Sequence, residues 1–296
     1  LKVFKNFDIN KNFIFSSLFK ILNQKKKLEI DDLAYQIAPI INSAGRIDNA
    51  NQIVELLVNI SSKRKIQIIK KIFNLNIKRK LLEKRFFKGF KFSNLYNEEG
   101  IIFIYQKNIP EGIIGIIASR IKYFFNKPCI VLTNSKNIIK GSARSTLDFN
   151  IGAYIQKAFE EKIILAGGGH NLAAGITLSK SNIDLFKRFI NNLYKKKNCL
   201  NKNFFVSRIL LDSINKNFFE NINLIGPFGN MNSNPIFLIE QIKILKAKII
   251  NERFISCFIK KNKKMIKAIS FNHLNTKISY EILNSKSNFD IFFKIK

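Results

Sequence analysis

The chain has 296 residues, 46% of them hydrophobic, which is enough apolar material for one or two packed cores and too much for a disordered tail. Its 51 Lys and Arg against 20 Asp and Glu leave a formal charge of +31, a surface potential that attracts polyanions and makes nucleic acid the natural partner. Three scattered cysteines (Cys129, Cys199, Cys257) and two histidines form neither a zinc pattern nor a disulfide framework, and no apolar run nears the ~18 residues that span a bilayer. The expectation is therefore a cytoplasmic protein with reduced thiols and no membrane partner. The abundance of Lys, Asn, Ile and Phe with no Trp is what AT-rich coding imposes, so part of the basic excess follows from composition alone.

In chain order, Leu1 leads at once into amphipathic material (Phe13, Ile14, Leu18, Phe19, Leu22), as if the chain were cut into or started late. The apolar spacing predicts a helix over 12–24, a charged break at Lys25-Lys26-Lys27 and a second element over 30–36. Residues 37–46 (IAPIINSAGR) read as a compact loop ending in a glycine and an arginine. From Ala50 to about Phe92, apolar residues at helical spacing interleave with basic ones, the pattern of a long helix that links two bodies.

The next stretch alternates strands and helices: strands at 101–105, 129–133, 138–144 and 176–178, helices at 112–125, 151–161 and 183–194. Inside it lies the nonapeptide Gly167-Gly168-Gly169-His170-Asn171-Leu172-Ala173-Ala174-Gly175. Consecutive glycines can turn several N–H groups toward one point, a nest for a phosphate with the imidazole as donor beside it; the plainer alternative is a glycine turn capped by a histidine. Ser142 and Arg144 stand two apart at a strand end, so a hydroxyl and a guanidinium share one face and could grip a terminal phosphate; a solvated arginine at an ordinary strand end is the alternative.

A linker at Lys195-Lys196-Lys197-Asn198 precedes short apolar runs at 205–211, 236–239, 242–249, 254–259, 265–271 and 278–283, which predict a small oligonucleotide-binding barrel. Phe254, Phe258 and Phe271 lie on those runs, open to core packing or to base stacking; His273 reads as structural.

Four segments, Ile37 to Arg46, Glu111 to Arg120 (EGIIGIIASR), Lys140 to Ser145 (KGSARS) and Gly167 to Gly175, occur in the order and spacing of the RecJ family, single-strand-specific 5′→3′ exonucleases of the Asp-His-His (DHH) phosphoesterase superfamily. Gly226-Pro227-Phe228-Gly229 with Pro235 and Phe237 resembles the opening of that family's oligonucleotide-binding (OB) barrel, and the chain as a whole resembles the family's C-terminal part. The resemblance implies an α/β protein in four parts. These are the end of a DHH-type core at 1–50, a connecting helix at 51–92, a DHH-associated α/β domain at 93–197 and an OB-like barrel at 203–296.

It also implies roles. Arg46, Ser142 and Arg144 would hold a 5′ phosphate, with Gly168 and Gly169 shaping the seat, and His170 would donate to a phosphoryl oxygen as charge builds in the transition state. Arg46 has an interdomain ion pair as its alternative, and Arg120 reads as structural. The family hydrolyses DNA with Mn²⁺ or Mg²⁺ held by Asp and His. With two histidines and no DHH or DxD motif, those ligands are expected in an upstream segment or a separate N-terminal half. Three departures from the family lose polar or conformational function: Ile109-Pro110 replaces a Trp-His pair, Met231 a glycine and Ile40 a polar residue. The implied activity is degradation of single-stranded DNA in recombination and repair. The competing readings are a non-catalytic strand-binding remnant and a phosphoesterase acting on small oligonucleotides.

Overall fold

The computed structural model describes residues 8, 11–22, 32–58, 61–90, 95, 100–195, 205–226, 228–229, 232–250, 254–271, 277–284 and 287–295. Cys199, Met231 and His273 lie outside them. The chain divides into two compact units, Leu1–Leu200 and Asn201–Lys296.

The first unit begins with helices. Helix α1 (Phe13–Ile21) starts at Asn12, whose side chain accepts from the backbone N–H groups of Ile14 and Phe15 at 3.2 Å. A wide turn at Leu33–Ile37 runs directly into α2 (Ala38–Ile47), so the segment expected to be a compact loop is helical. Pro39 sits in the first turn, where its missing N–H costs nothing, and Ile40, Ser43 and Ala44 are buried. The long helical pattern after Ala50 divides in two: α3 (Asn51–Leu57) stops at an extended Val58, and α4 (Ser62–Gly89) restarts where the Ser61 hydroxyl accepts from Arg64 N at 3.4 Å.

Helix α4 serves two cores. Ile68, Ile69 and Ile72 pack with Leu18, Phe19, Ile40 and Leu56, whereas Phe86, a turn from its other end, packs with the α/β sheet that follows. Between the two apolar patches lies a polar belt. Glu83, 1% exposed, pairs with Arg79 one turn back on α4 and with Arg120 at 2.8 Å, while Asn76 Oδ1 accepts from Arg79 Nε and Nη2 at 3.1 and 2.9 Å. Arg120 also lies over the Phe87 ring, 5.6 Å from its centre.

The sheet has the order β1-β2-β3-β5-β4, built from β1 (Ile102–Tyr105), β2 (Cys129–Ser135), β3 (Ile138–Arg144), β4 (Ala166–His170) and β5 (Ala173–Leu178). Only β1 and β2 are parallel, joined through helix α5 (Glu111–Phe125), which ends on Asn126 in the left-handed region. Strand alternation divides the side chains: Cys129 and Val131 join the α5 core, and Ile130 and Leu132 join the core beneath α6 (Ile151–Glu160) and α7 (Ile183–Lys195).

The glycine-rich segment is not a loop nest. Residues 166–170 form β4, and no glycine among the described residues has a positive φ. Runs of three glycines read as turns because nothing local favours a strand; here the ladder with β5 imposes one.

The second unit is a curled β half-barrel. Its sheet runs β10-β7-β8-β9, from β7 (Phe237–Ile250), β8 (Phe254–Lys261), β9 (Lys264–Phe271) and β10 (Asn288–Phe293), with β6 (Ser207–Arg208) also pairing with β7. The two runs expected at 236–239 and 242–249 are one strand, bent by bulges at Gln241 and Lys246, both with positive φ. Residues 278–283, expected as a strand, belong to helix α9 (Lys277–Asn284), and a further helix, α8 (Lys216–Leu224), and strand β10 were not foreseen. Short apolar runs carry too little periodicity to separate helix from strand.

Candidate functional site

Three antiparallel strands set out the site. Residues paired directly across such a ladder project to the same side, so the register groups them in rows: Arg144 with Ala173 and His170, Ser142 with Gly175 and Gly168, Lys140 with Thr177 and Ala166. The alternating residues Ile139, Ala143, Ala174, Ile176 and Leu178 turn to the other side, into the core. One face of β3-β5-β4 is thereby left for chemistry, with rows ~6.7 Å apart along each strand.

Over this face opens a cleft of 850 Å³, walled by the end of α2 (Gly45 to Asp48), the start of α5 (Pro110 to Gly115) and the strand rows. That volume lies within the range of small-ligand pockets. Arg46, in the last turn of α2, donates from Nη1 to the Gly112 carbonyl at 3.0 Å and so ties the helical body to α5. The approach is close: a Cβ on Gly112 would lie 1.9 Å from Arg46 O. Gly115 similarly leaves room for Arg144 Nη2 and Ser142 Oγ, which lie 3.0 and 3.1 Å from where its Cβ would stand.

The charges are arranged for an anion. Arg144 donates to Ser142 Oγ at 3.0 Å and to Ala143 O at 2.8 Å, and among the described residues no carboxylate pairs with it or with Arg46. Burial pushes the Arg144 pKa down, and the nearby Arg46 pushes it further. Two guanidiniums facing one cavity repel each other until an anion stands between them. Arg79 is likewise lowered by burial, partly offset by Glu83, with Arg120 and Arg46 acting as like charges. Lys140 completes the cationic lining and donates to Thr177 Oγ1 at 2.9 Å.

Two carboxylates also line the cleft, each engaged. Asp48 accepts from Lys71 at 2.9 Å and from Gln52 at 2.9 Å, bonds that hold its pKa below the ordinary carboxylate value. Glu111 accepts from Ser135 at 3.0 Å.

Of the residues singled out from sequence, Arg46, Ser142, Arg144 and Gly168 meet at the cleft. His170 shares the Arg144 row, two strand spacings away (~10 Å between backbones), and is exposed at the rim outside the lining. Gly169 faces away from the cleft, where a Cβ would lie 2.2 Å from Ala173 O. Lys140, Thr177, Gly175, Gly112 and Gly115 were not assigned roles from sequence. For Lys140 a signal existed, since it stands two residues from Ser142 on the same strand face. Gly112 and Gly115 required knowledge of what packs against α5.

The metal ions implied by the family resemblance find no donor set here. Among the described residues, no three His, Cys, Asp or Glu side chains cluster to hold an ion. No helix among them is long and apolar enough to cross a membrane.

A mixed sheet with helices on both faces and an arginine-lined cleft, followed in the chain by a curled half-barrel, defines a two-unit protein built around an anion-binding α/β domain. Sequence profiles agree: residues 98–196 match the DHHA1 domain and residues 207–296 the RecJ OB domain. Single-stranded-DNA-specific exonuclease RecJ of Haemophilus influenzae is 29% identical over 83% of the chain, and that of Bacillus subtilis 26% over 82%. The fold is shared with RecJ from Thermus thermophilus in complex with Mn²⁺, at a TM-score of 0.76 and 20% identity over 96% of the chain. The chain is thus RecJ-like, with a DHHA1 domain followed by a RecJ OB domain. It spans 46% of the Haemophilus protein, 32% of the Bacillus protein and 41% of the Thermus chain.

Proposed function

We propose that this chain supplies the end-gripping and strand-holding part of a RecJ-type exonuclease that degrades single-stranded DNA 5′→3′ in recombination and repair in the cytoplasm. The observation that carries the reading is the pair Arg46 and Arg144 converging with Ser142 on one cleft, with no carboxylate among the described residues to neutralise either arginine. A terminal phosphate carries the charge and acceptor oxygens that these donors require, and charge-assisted bonds to guanidinium are the strong kind. Gly168, with nothing within 4 Å of its would-be Cβ, keeps the floor bare for the terminal nucleotide. Gly169 shapes that floor indirectly through its packing. His170 at the rim is in this reading the donor that meets the next phosphoryl group.

The half-barrel would hold the trailing strand. Phe254, Phe258 and Phe271 stand outside the unit's core cluster, Phe271 is 52% exposed, and they share a sheet face with Lys243, Lys260 and Lys267. Aromatic rings among lysines suit stacked bases and a phosphate backbone. Hydrolysis belongs to the assembled enzyme: Mn²⁺ or Mg²⁺ ligands would come from a DHH half, and no step runs through an ion held by the described residues.

A second reading, a strand-binding module without catalysis, is favoured by that same missing donor set. The test uses the 296-residue chain with a 30-nucleotide single strand carrying either a 5′ phosphate or a 5′ hydroxyl, with and without Mn²⁺. Tighter binding of the phosphorylated strand supports the end grip, and equal binding of both overturns it. Release of mononucleotides would put a complete hydrolytic site in this chain; salt-sensitive binding without cleavage assigns it the binding part alone.

A further inference from the structure

Helix α4 carries a single acidic residue, Glu83, and that one is buried and paired. Its solvent side therefore shows one sign of charge: Lys63, Lys70, Lys78, Lys84, Arg85 and Lys88 are exposed, and none forms an ion pair with a described residue. With about 100° of rotation per residue these six fall within one stripe, and at ~1.5 Å per residue the stripe runs ~37 Å. An AT-rich coding bias explains many lysines; it does not explain why every acid is missing from the exposed side of this particular helix.

The stripe is continuous with the cleft. Asp48 lines the cleft and accepts from Lys71 at 2.9 Å, and Lys78, two turns further along α4, acts electrostatically on the same carboxylate. Arg85 repeats the spacing once more, so Lys71, Lys78 and Arg85 form a ridge with steps of ~10.5 Å leading from the cleft rim along the helix. Ile77 and Leu81, 44% and 59% exposed, lie between the cations; they add apolar contact and no opposing charge.

We propose that this exposed face of α4 is a second nucleic-acid contact surface, which takes the phosphate backbone of a single strand independently of its sequence and extends the binding path beyond the cleft. The inference rests on the reading of the cleft as an end grip only for the direction of the path; the surface itself stands on its charge and exposure.

The triple substitution Lys78→Ala, Lys84→Ala, Arg85→Ala tests it, since alanine keeps the helix and none of the three lies in the cleft. Two probes are compared by anisotropy: a 5′-hydroxyl 30-mer of dT, and a 5′-phosphorylated dT tetranucleotide that fits the cleft alone. The expected result is about tenfold weaker 30-mer binding at about 50 mM salt, a salt slope smaller by ~2 from three lost contacts, and tetranucleotide binding within about twofold of the parent. Unchanged 30-mer affinity and slope would overturn the proposal, as would an equal loss for both probes, which would assign these cations to the cleft. Failure of the end grip shows separately, as the absence of any 5′-phosphate preference in the unsubstituted chain.

Discussion

The two faces of the β3-β5-β4 ladder are made from the same residue types for opposite reasons. In the row of the buried Ala143 and Ala174, Gly169 is required by the fold, because a Cβ would stand 2.2 Å from the Ala173 carbonyl and 2.5 Å from Ala174 Cα on the neighbouring strand. On the open face, Gly168 and Gly175 sit opposite each other with nothing within 4 Å of a would-be Cβ and with ordinary negative φ. Nothing in the fold asks for glycine at those two positions. What a side chain would take up there is the space of the cleft, next to Ser142. One motif therefore contains a structural glycine beside two whose absent side chains serve whatever occupies the cavity.

The comparison breaks most easily at Gly169→Ala. Its nearest obstacles are backbone atoms that cannot swing aside, so a loss of about 3 kcal/mol, at the top of the overpacking range, is expected in urea unfolding. A loss under about 1 kcal/mol would mean that β4 can shift and that the two faces are not distinct. Arg144→Ala addresses the open face alone. Removing a charge-assisted contact worth ~2 kcal/mol should reduce the preference for a 5′-phosphorylated over a 5′-hydroxyl strand by about thirtyfold, with little change in unfolding midpoint. A preference left intact would remove Arg144 from the grip.

Gly168→Ala and Gly175→Ala sharpen the contrast by separating stability from binding. A glycine in a strand interior is unfavourable by ~0.5–1 kcal/mol relative to alanine, so both variants should unfold at equal or higher urea while binding the phosphorylated strand more weakly. Destabilisation of either would show that the open face also packs against something. The smallest effect is expected from pH. Bonds from Lys71 and Gln52 lower the Asp48 pKa, so the stability that this group contributes is present above its unfolded value and is lost as pH falls through the lower folded one. An Asp48→Asn variant should fall slightly below the parent in unfolding midpoint near neutral pH and converge with it in strong acid, where the parent's carboxylate is also neutral. A difference that persisted unchanged into strong acid would point to something other than the charge of this group.

Much of the α/β unit is legible in the sequence. Strand 138–144 falls at its expected bounds, and helices α5, α6 and α7 within two residues of theirs, because alternating or helical apolar spacing over seven or more residues reports directly on which faces are buried. The half-barrel is less legible. Its first long strand is bent by bulges at Gln241 and Lys246, and 278–283 folds as a helix, neither of which a run of six apolar and polar letters specifies. In the site, Ser142 and Arg144 can be placed together from spacing alone, since a strand puts residues two apart on one side.

By itself the sequence determined the kind of protein: the order of its motifs, the basic charge, the linker helix and the likeness to RecJ proteins all lie in local patterns of letters. Tertiary structure alone decided that the glycine run is a strand, that Gly168 and Gly169 face opposite ways, and that Arg46 reaches Gly112 from 66 residues away. Those outcomes depend on strand register and helix contact, which are set by partners distant in the chain, and a residue's own neighbours carry no information about which partner it will meet.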